Sequence, residues 1–342
     1  MTNKLEQLLA ERPYLLADGA TGTNLFAMGL ETGDAPELWN LERPDKIARQ
    51  YRSFIEAGAD IVLTNSFGGT RYRLQLHGAQ DRVAEINQAA ARIACECIVD
   101  YPRPVVIAGS MGPTGEILAP LGDLSAEGAT SAFAEQAVAL AQGGVDVLWI
   151  ETMSSQEELV AALNGAATAG LPTVCTMSFD TNGHTMMGIS PSAALEIAQS
   201  VAQQPVACGA NCGVGAADLV SSLLEMSAAG TADGVFVAKA NCGIPRYVDG
   251  RIEYDGTPEL MATYARLAYD AGARIIGGCC GTTPAHLAAM REALQTHTRR
   301  SVPTRGMIEA ALGPVSTAPA PRGHKIRSSR RRSRKPSHPS VN

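Results

Sequence analysis

The chain has 342 residues, a formal net charge of −6 and 45% hydrophobic content, the ordinary balance of a globular protein with a sizeable core. No apolar run approaches the ~20 residues that span a bilayer, and residues 1–10 lack the charged start and apolar centre of a secretory signal, so a cytoplasmic protein is expected. Eight cysteines in such a chain read as reduced thiols or metal ligands, not as a disulfide framework.

From the start, short aliphatic runs alternate with longer segments of helical period. The strands are expected at 14–18, 60–65, 105–110, 145–151, 172–179, 205–212, 234–241 and 274–279. The helices between them are expected at 44–57, 81–100, 125–143, 154–169, 191–203, 216–229, 258–271 and 284–297. Ser125, Ser154, Ser190, Thr257 and Thr283 stand where N-caps belong, and Gly58, Gly143, Gly170 and Gly272 where helices close. Near-continuous hydrophobic strands are buried on both faces, as in a parallel sheet wrapped by helices. Eight such units predict an α/β fold, a (β/α)8 TIM barrel, over residues 1–300. An open doubly wound sheet is the alternative, but the glycines in 18–23 have the wrong spacing for a dinucleotide loop.

Residues 301–342 form a Pro/Ser/Arg-rich extension. From Ser316 onward the chain carries eight basic residues and no acidic ones, a composition that cannot bury enough surface to fold alone, so a disordered basic tail is expected. The partners expected are small molecules and not a membrane; a nucleic-acid contact through the basic tail is poorly supported, and a homo-oligomer stays open.

Barrel enzymes place their chemistry at the carboxyl ends of the strands. There the sequence sets Asp18, Asn65, Ser110, Glu151, Cys212, Asn241 and Cys242, and finally Cys279 and Cys280. The adjacent cysteines, between glycines and before the helix start Thr283-Pro284, can reach one atom only where a strand is ending. A third thiol has two sources, because Ala210-Asn211-Cys212-Gly213 and Ala240-Asn241-Cys242-Gly243 repeat the same four residues. Four sulfurs would make a closed structural zinc site; three would leave a position open, as catalytic zinc does.

Asp18-Gly19-Ala20-Thr21-Gly22-Thr23, Gly209-Ala210-Asn211-Cys212 and Gly277-Gly278-Cys279-Cys280-Gly281-Thr282-Thr283-Pro284, in this order, resemble the homocysteine S-methyltransferase family over about residues 12–297. The resemblance implies Zn2+ bound by Cys212, Cys279 and Cys280 and not by Cys242. It implies that Asp18 and Glu151 hold the amino-acid part of homocysteine. Asn65, Ser110 and Trp39 are further substrate-binding candidates.

The expected activity is therefore a zinc-dependent methyltransferase that makes methionine from homocysteine. A metal-held thiol is deprotonated, and three thiolate ligands keep electron density on the attacking sulfur. A cationic methyl donor suits that nucleophile, and aromatic faces at Trp39, Phe67 and Tyr72 could hold one. The run 35–40 and the basic tail look like bacterial betaine-homocysteine methyltransferases, which makes betaine the favoured donor and S-methylmethionine or another sulfonium the alternative. Gly68 and Thr152 stand where the animal betaine enzymes carry donor-contacting tyrosines. A non-enzymatic scaffold with structural zinc is the rival from another class.

Overall fold

The computed structural model describes residues 3–230, 234–243, 245–248 and 251–316. The chain opens with α1 (Lys4–Glu11), capped by a reciprocal Asn3 and Glu6 pair, and then enters β1 (Leu15–Leu16). Next come α2 (Gly22–Ala27), α3 (Trp39–Glu42), α4 (Pro44–Glu56), β2 (Ile61–Leu63), α5 (Arg71–Gln75), α6 (Val83–Glu96) and β3 (Val106–Met111). The middle holds α7 (Ala126–Gly143), β4 (Val147–Met153), α8 (Gln156–Ala167), β5 (Thr173–Met177), α9 (Pro191–Gln199), β6 (Ala207–Cys212) and α10 (Ala216–Ala229). The last part holds β7 (Phe236–Ala240), the pair β8 (Pro245–Val248) and β9 (Arg251–Tyr254), α11 (Pro258–Asp270), β10 (Ala273–Gly278), α12 (Pro284–Gln295) and α13 (Arg305–Leu312).

Eight strands pair in parallel in the order β1-β10-β7-β6-β5-β4-β3-β2, and a parallel bridge between Ala17 and Ile61 joins the two ends. This is a (β/α)8 TIM barrel, as the repeated strand and helix units predict. All eight expected strands are present, shifted by a few residues. Two boundary expectations move: Ser155, not Ser154, caps α8 through its side chain, and Gly144 at φ 101°, not Gly143, terminates α7 in the left-handed region that glycine tolerates.

Alternation along the strands sorts the core into two shells. Leu15, Ile61, Val106, Ala108, Val147, Trp149, Val174, Ala207, Val237 and Ile275 fill the inside of the barrel, while neighbours such as Leu148, Ala238 and Ile276 pack outward under the helices. Leu5, Leu8 and Leu9 of α1 join the inner shell. Near that end, Asp60 accepts from Arg12, Arg103, Arg291 and the Leu16 amide, which ties β1, β2 and α12 together.

Besides α1, α2, α3 and α5, the pair β8 and β9 and helix α13 lie outside the eight strand and helix units. The antiparallel pair β8 and β9 is inserted between β7 and α11. Helix α13, placed by sequence in the extension, packs on α10 and α11 with Ile308 fully buried, and the Ser316 amide donates to Asp218 at 2.8 Å. Packed chain thus runs past residue 300, and the basic segment 317–342 lies outside the described residues. Among the described residues no helix is long and apolar enough to cross a membrane.

Candidate functional site

Inside the barrel the apolar layers give way, toward the carboxyl ends, to a polar one. Two residues beyond Ala108, Val147–Trp149, Val174 and Val237 on the same inward face stand Ser110, Glu151, Thr176 and Lys239, all buried. Asn211 holds the same level on β6, opposite Lys239 in the strand register. Charged groups in this position persist only with partners. Lys239 Nζ donates to Asp18 Oδ1 at 2.9 Å and sits 5.5 Å from the centre of the Trp149 ring. The Leu63 amide donates to Asp18 Oδ2 at 2.8 Å. Ser110 donates to Glu151 Oε1 at 2.5 Å, and Glu151 Oε2 makes no hydrogen bond among the described residues.

Burial raises the pKa of Asp18 and of Glu151, opposed in both by Lys239. For Lys239 burial pulls the other way, but Asp18, Glu151 and Cys279 outweigh it and leave the ammonium more firmly protonated than usual. The apolar strand Phe236–Ala240 hid this residue from the sequence reading; the signal was a lone lysine in an otherwise apolar run.

At the rim, the Sγ atoms of Cys212, Cys279 and Cys280 all lie within 4.8 Å of one another. Cys212, the last residue of β6, takes φ 61°, a left-handed conformation that costs a non-glycine residue about 1 kcal/mol or more. That turn departs from strand geometry. Cys279 and Cys280 follow β10, where Gly281 at φ 79° could carry no side chain without meeting Tyr254. The repeated motif works differently in its second copy. Asn241 Nδ2 donates to the Gly213 carbonyl at 2.7 Å while its Oδ1 accepts from the Cys280 amide at 3.1 Å, so it ties the two cysteine loops together. The Cys242 thiol instead donates to the Gly256 carbonyl at 3.0 Å and stays outside the cluster. The register explains this. Cys212 pairs with Ala240, so Cys242 lies two residues, about 7 Å, farther along its strand direction.

The three thiols crowd one another. Cys212 is pushed up to about 11: Cys279 pulls it down, while Cys280 and burial raise it more. Contact with Cys212 first, then burial, raises Cys279 above the ordinary thiol range as well. Three sulfurs this close cannot all ionise unless a cation sits among them. The donor set is soft and offers no fourth protein ligand among the described residues, which is compatible with zinc holding one position open. The Tyr254 hydroxyl reaches Cys280 from β9.

The remaining candidates are placed differently. Asn65 turns its amide onto the Pro36 carbonyl at 2.7 Å and Asn40 at 3.0 Å, which fixes the loop after β1. Trp39 is buried in the outer shell with Lys46 4.6 Å from the centre of its ring. Phe67 is partly exposed, and its ring lies against Gly112. Thr152 takes φ 64° and is held at its amide and hydroxyl by Asn211.

Comparison with known proteins decides the family. The homocysteine S-methyltransferase profile matches residues 15–294, nearly the whole barrel. The chain belongs to the homocysteine S-methyltransferase family. It is 31% identical over 299 residues to the methionine synthase of Mycobacterium tuberculosis, and 31% over 317 residues to that of Mycobacterium leprae. Those alignments cover 83% and 87% of this chain but 25% and 26% of the relatives, so the chain spans about a quarter of their length. Among solved structures it resembles the Escherichia coli homocysteine methyltransferase MmuM. The oxidized form matches with TM-score 0.71 at 25% identity, covering 85% of this chain and 99% of that one. The metallated form gives TM-score 0.70 at 26% identity with the same coverage.

Proposed function

We propose that the chain is a zinc-dependent methyltransferase that moves a methyl group to the sulfur of homocysteine and yields methionine. One observation carries the reading: in a barrel of this family, three cysteine sulfurs converge within 4.8 Å beside two buried carboxylates. Cys212, Cys279 and Cys280 hold the metal and leave one position for substrate. Zinc, when bound there, supplies the acidity that turns the substrate thiol into a thiolate at neutral pH.

The chain's own residues supply the rest. Glu151, fixed by Ser110 through Oε1, offers its unpartnered Oε2 to the substrate ammonium. Asp18 stands with it, held in one orientation by Lys239 and the Leu63 amide. Anchoring the ammonium and the sulfur at two points leaves the reacting atom little freedom, and orientation of that kind provides much of a transfer rate. The donor we favour is betaine, on the resemblance of the run 35–40, with S-methylmethionine or another sulfonium as the alternative. The protein is read as acting in the cytoplasm on these two small molecules.

The test is methionine formation from homocysteine with each donor separately, before and after chelation and again after zinc is restored. Activity with at least one methylated cation, lost on chelation and recovered with zinc, is expected. A zinc-replete protein inactive with every donor would overturn the enzymatic reading.

A further inference from the structure

The buried cation at Lys239 has no part in holding the metal, yet its place in the sheet is singular. Its strand β7 runs between the two strands that carry the cysteines. In register, Lys239 pairs with Asn211 on one side, the residue before Cys212, and with Gly277 on the other, two residues before Cys279. It is 2% exposed, and its ammonium makes a single hydrogen bond among the described residues, to Asp18. Glu151 and Cys279 lie within its electrostatic reach. The interior it faces therefore holds two carboxylates against one lysine even before any sulfur ionises.

We propose that Lys239 is a positioning residue that acts as the fixed counter-cation for the substrate thiolate, offsetting the charge that arrives when homocysteine sulfur joins the three cysteines. This rests on the function proposed above. When homocysteine binds, its S–H bond breaks, the electron pair stays on sulfur and the proton leaves to the buffer. The site thereby gains one negative charge that a thioether ligand would not bring. Burying that charge beside Asp18 and Glu151 is unfavourable, and Lys239 is the ammonium built into the same layer to oppose it. Asp18 then has a second task, since its bond to Nζ keeps the cation pointed at the centre of the barrel.

The experiment compares two ligands on the zinc-loaded protein. Titration calorimetry gives Kd for homocysteine, whose sulfur ionises, and for methionine, whose sulfur cannot, so losses through the shared amino and carboxyl groups cancel in their ratio. Lys239→Met is expected to weaken homocysteine about 10- to 30-fold more than methionine, the scale of one nearby charge at an effective dielectric of about 20. Asp18→Asn, which removes an anion and keeps the lysine, is expected to shift the ratio the opposite way, and it decides the matter alone if Lys239→Met does not fold. Equal losses for both ligands in Lys239→Met, or an unchanged or reversed shift in Asp18→Asn, overturn the counter-cation role. Proton uptake by two buffers of different ionisation enthalpy separates the premises: a wild-type protein that binds homocysteine without releasing a proton refutes the function proposed above instead.

Discussion

Replacing Cys242 by alanine tests the three-sulfur site most directly, because a closed four-sulfur site would need this thiol. The side chain is buried, and its Sγ donates to the Gly256 carbonyl at 3.0 Å. That carbonyl is also 3.2 Å from His286 Nε2. The Thr283 amide donates to His286 Nδ1, which places the ring proton on Nε2, so Gly256 keeps a donor in the variant. What is lost is the packing of one sulfur atom and a neutral hydrogen bond that leaves no orphan behind. The sum is about 1–2 kcal/mol, since a buried methylene contributes about 0.8 kcal/mol and a partly relaxed cavity adds to it. For a chain of 342 residues each kcal/mol moves Tm by roughly 1–2 °C. Cys242→Ala should therefore melt a few degrees lower and still carry one zinc per chain by elemental analysis, whereas Cys212→Ala should lose the metal. Loss of zinc from Cys242→Ala would falsify the open-site reasoning.

Further outcomes follow from the same geometry. Glu151→Gln should lower methyl transfer by about 100-fold or more, as loss of a buried charged partner does. Because burial raises the pKa of Glu151 in the folded state, its contribution to stability is fully present below its unfolded value and declines as pH rises through the folded one. The Gln variant should accordingly melt above wild type at pH 7.5, with the gap closing near pH 4; a gap that widens on acidification refutes the sign. Asn241→Ala removes the tie between the Gly213 and Cys280 loops and should weaken metal binding about 10- to 100-fold in chelator competition, while an unchanged affinity would show the loops to be rigid without it. Leu5→Ala should destabilise urea unfolding by about 3 kcal/mol, and a loss under 1 kcal/mol would mean that α1 does not belong to the inner core.

The barrel was legible because strands covered on both faces must be apolar throughout, and each is punctuated by a cap or a glycine such as Ser190 or Gly272. Helix α1 escaped notice because eight residues before the first strand fall outside the repeat, although Asn3 and Glu6 spell a capping box. The β8 and β9 pair escaped for the same reason, being an insertion within one repeat. Among the site residues, the cysteines and the two acids stood out as chemistry at strand ends. The split between Cys212 and Cys242 could not be read from identical local motifs, since it depends on a two-residue difference in register between β6 and β7. Asn65 and Trp39 lie at suggestive positions in the chain, yet their side chains turn into loop packing, which tertiary contacts alone decide.

The cysteine cluster draws one sulfur from the end of β6 and two from beyond β10, with β7 paired between them. A chain emerging from the ribosome owns only Cys212 until residues 279 and 280 have been made, and even then the sulfurs meet only after three strands have docked in register. A metal held by all three sulfurs, as proposed, can therefore bind only a barrel already closed. On the function proposed above, zinc uptake by the metal-free protein would thus report the fraction of molecules in which β6, β7 and β10 have docked.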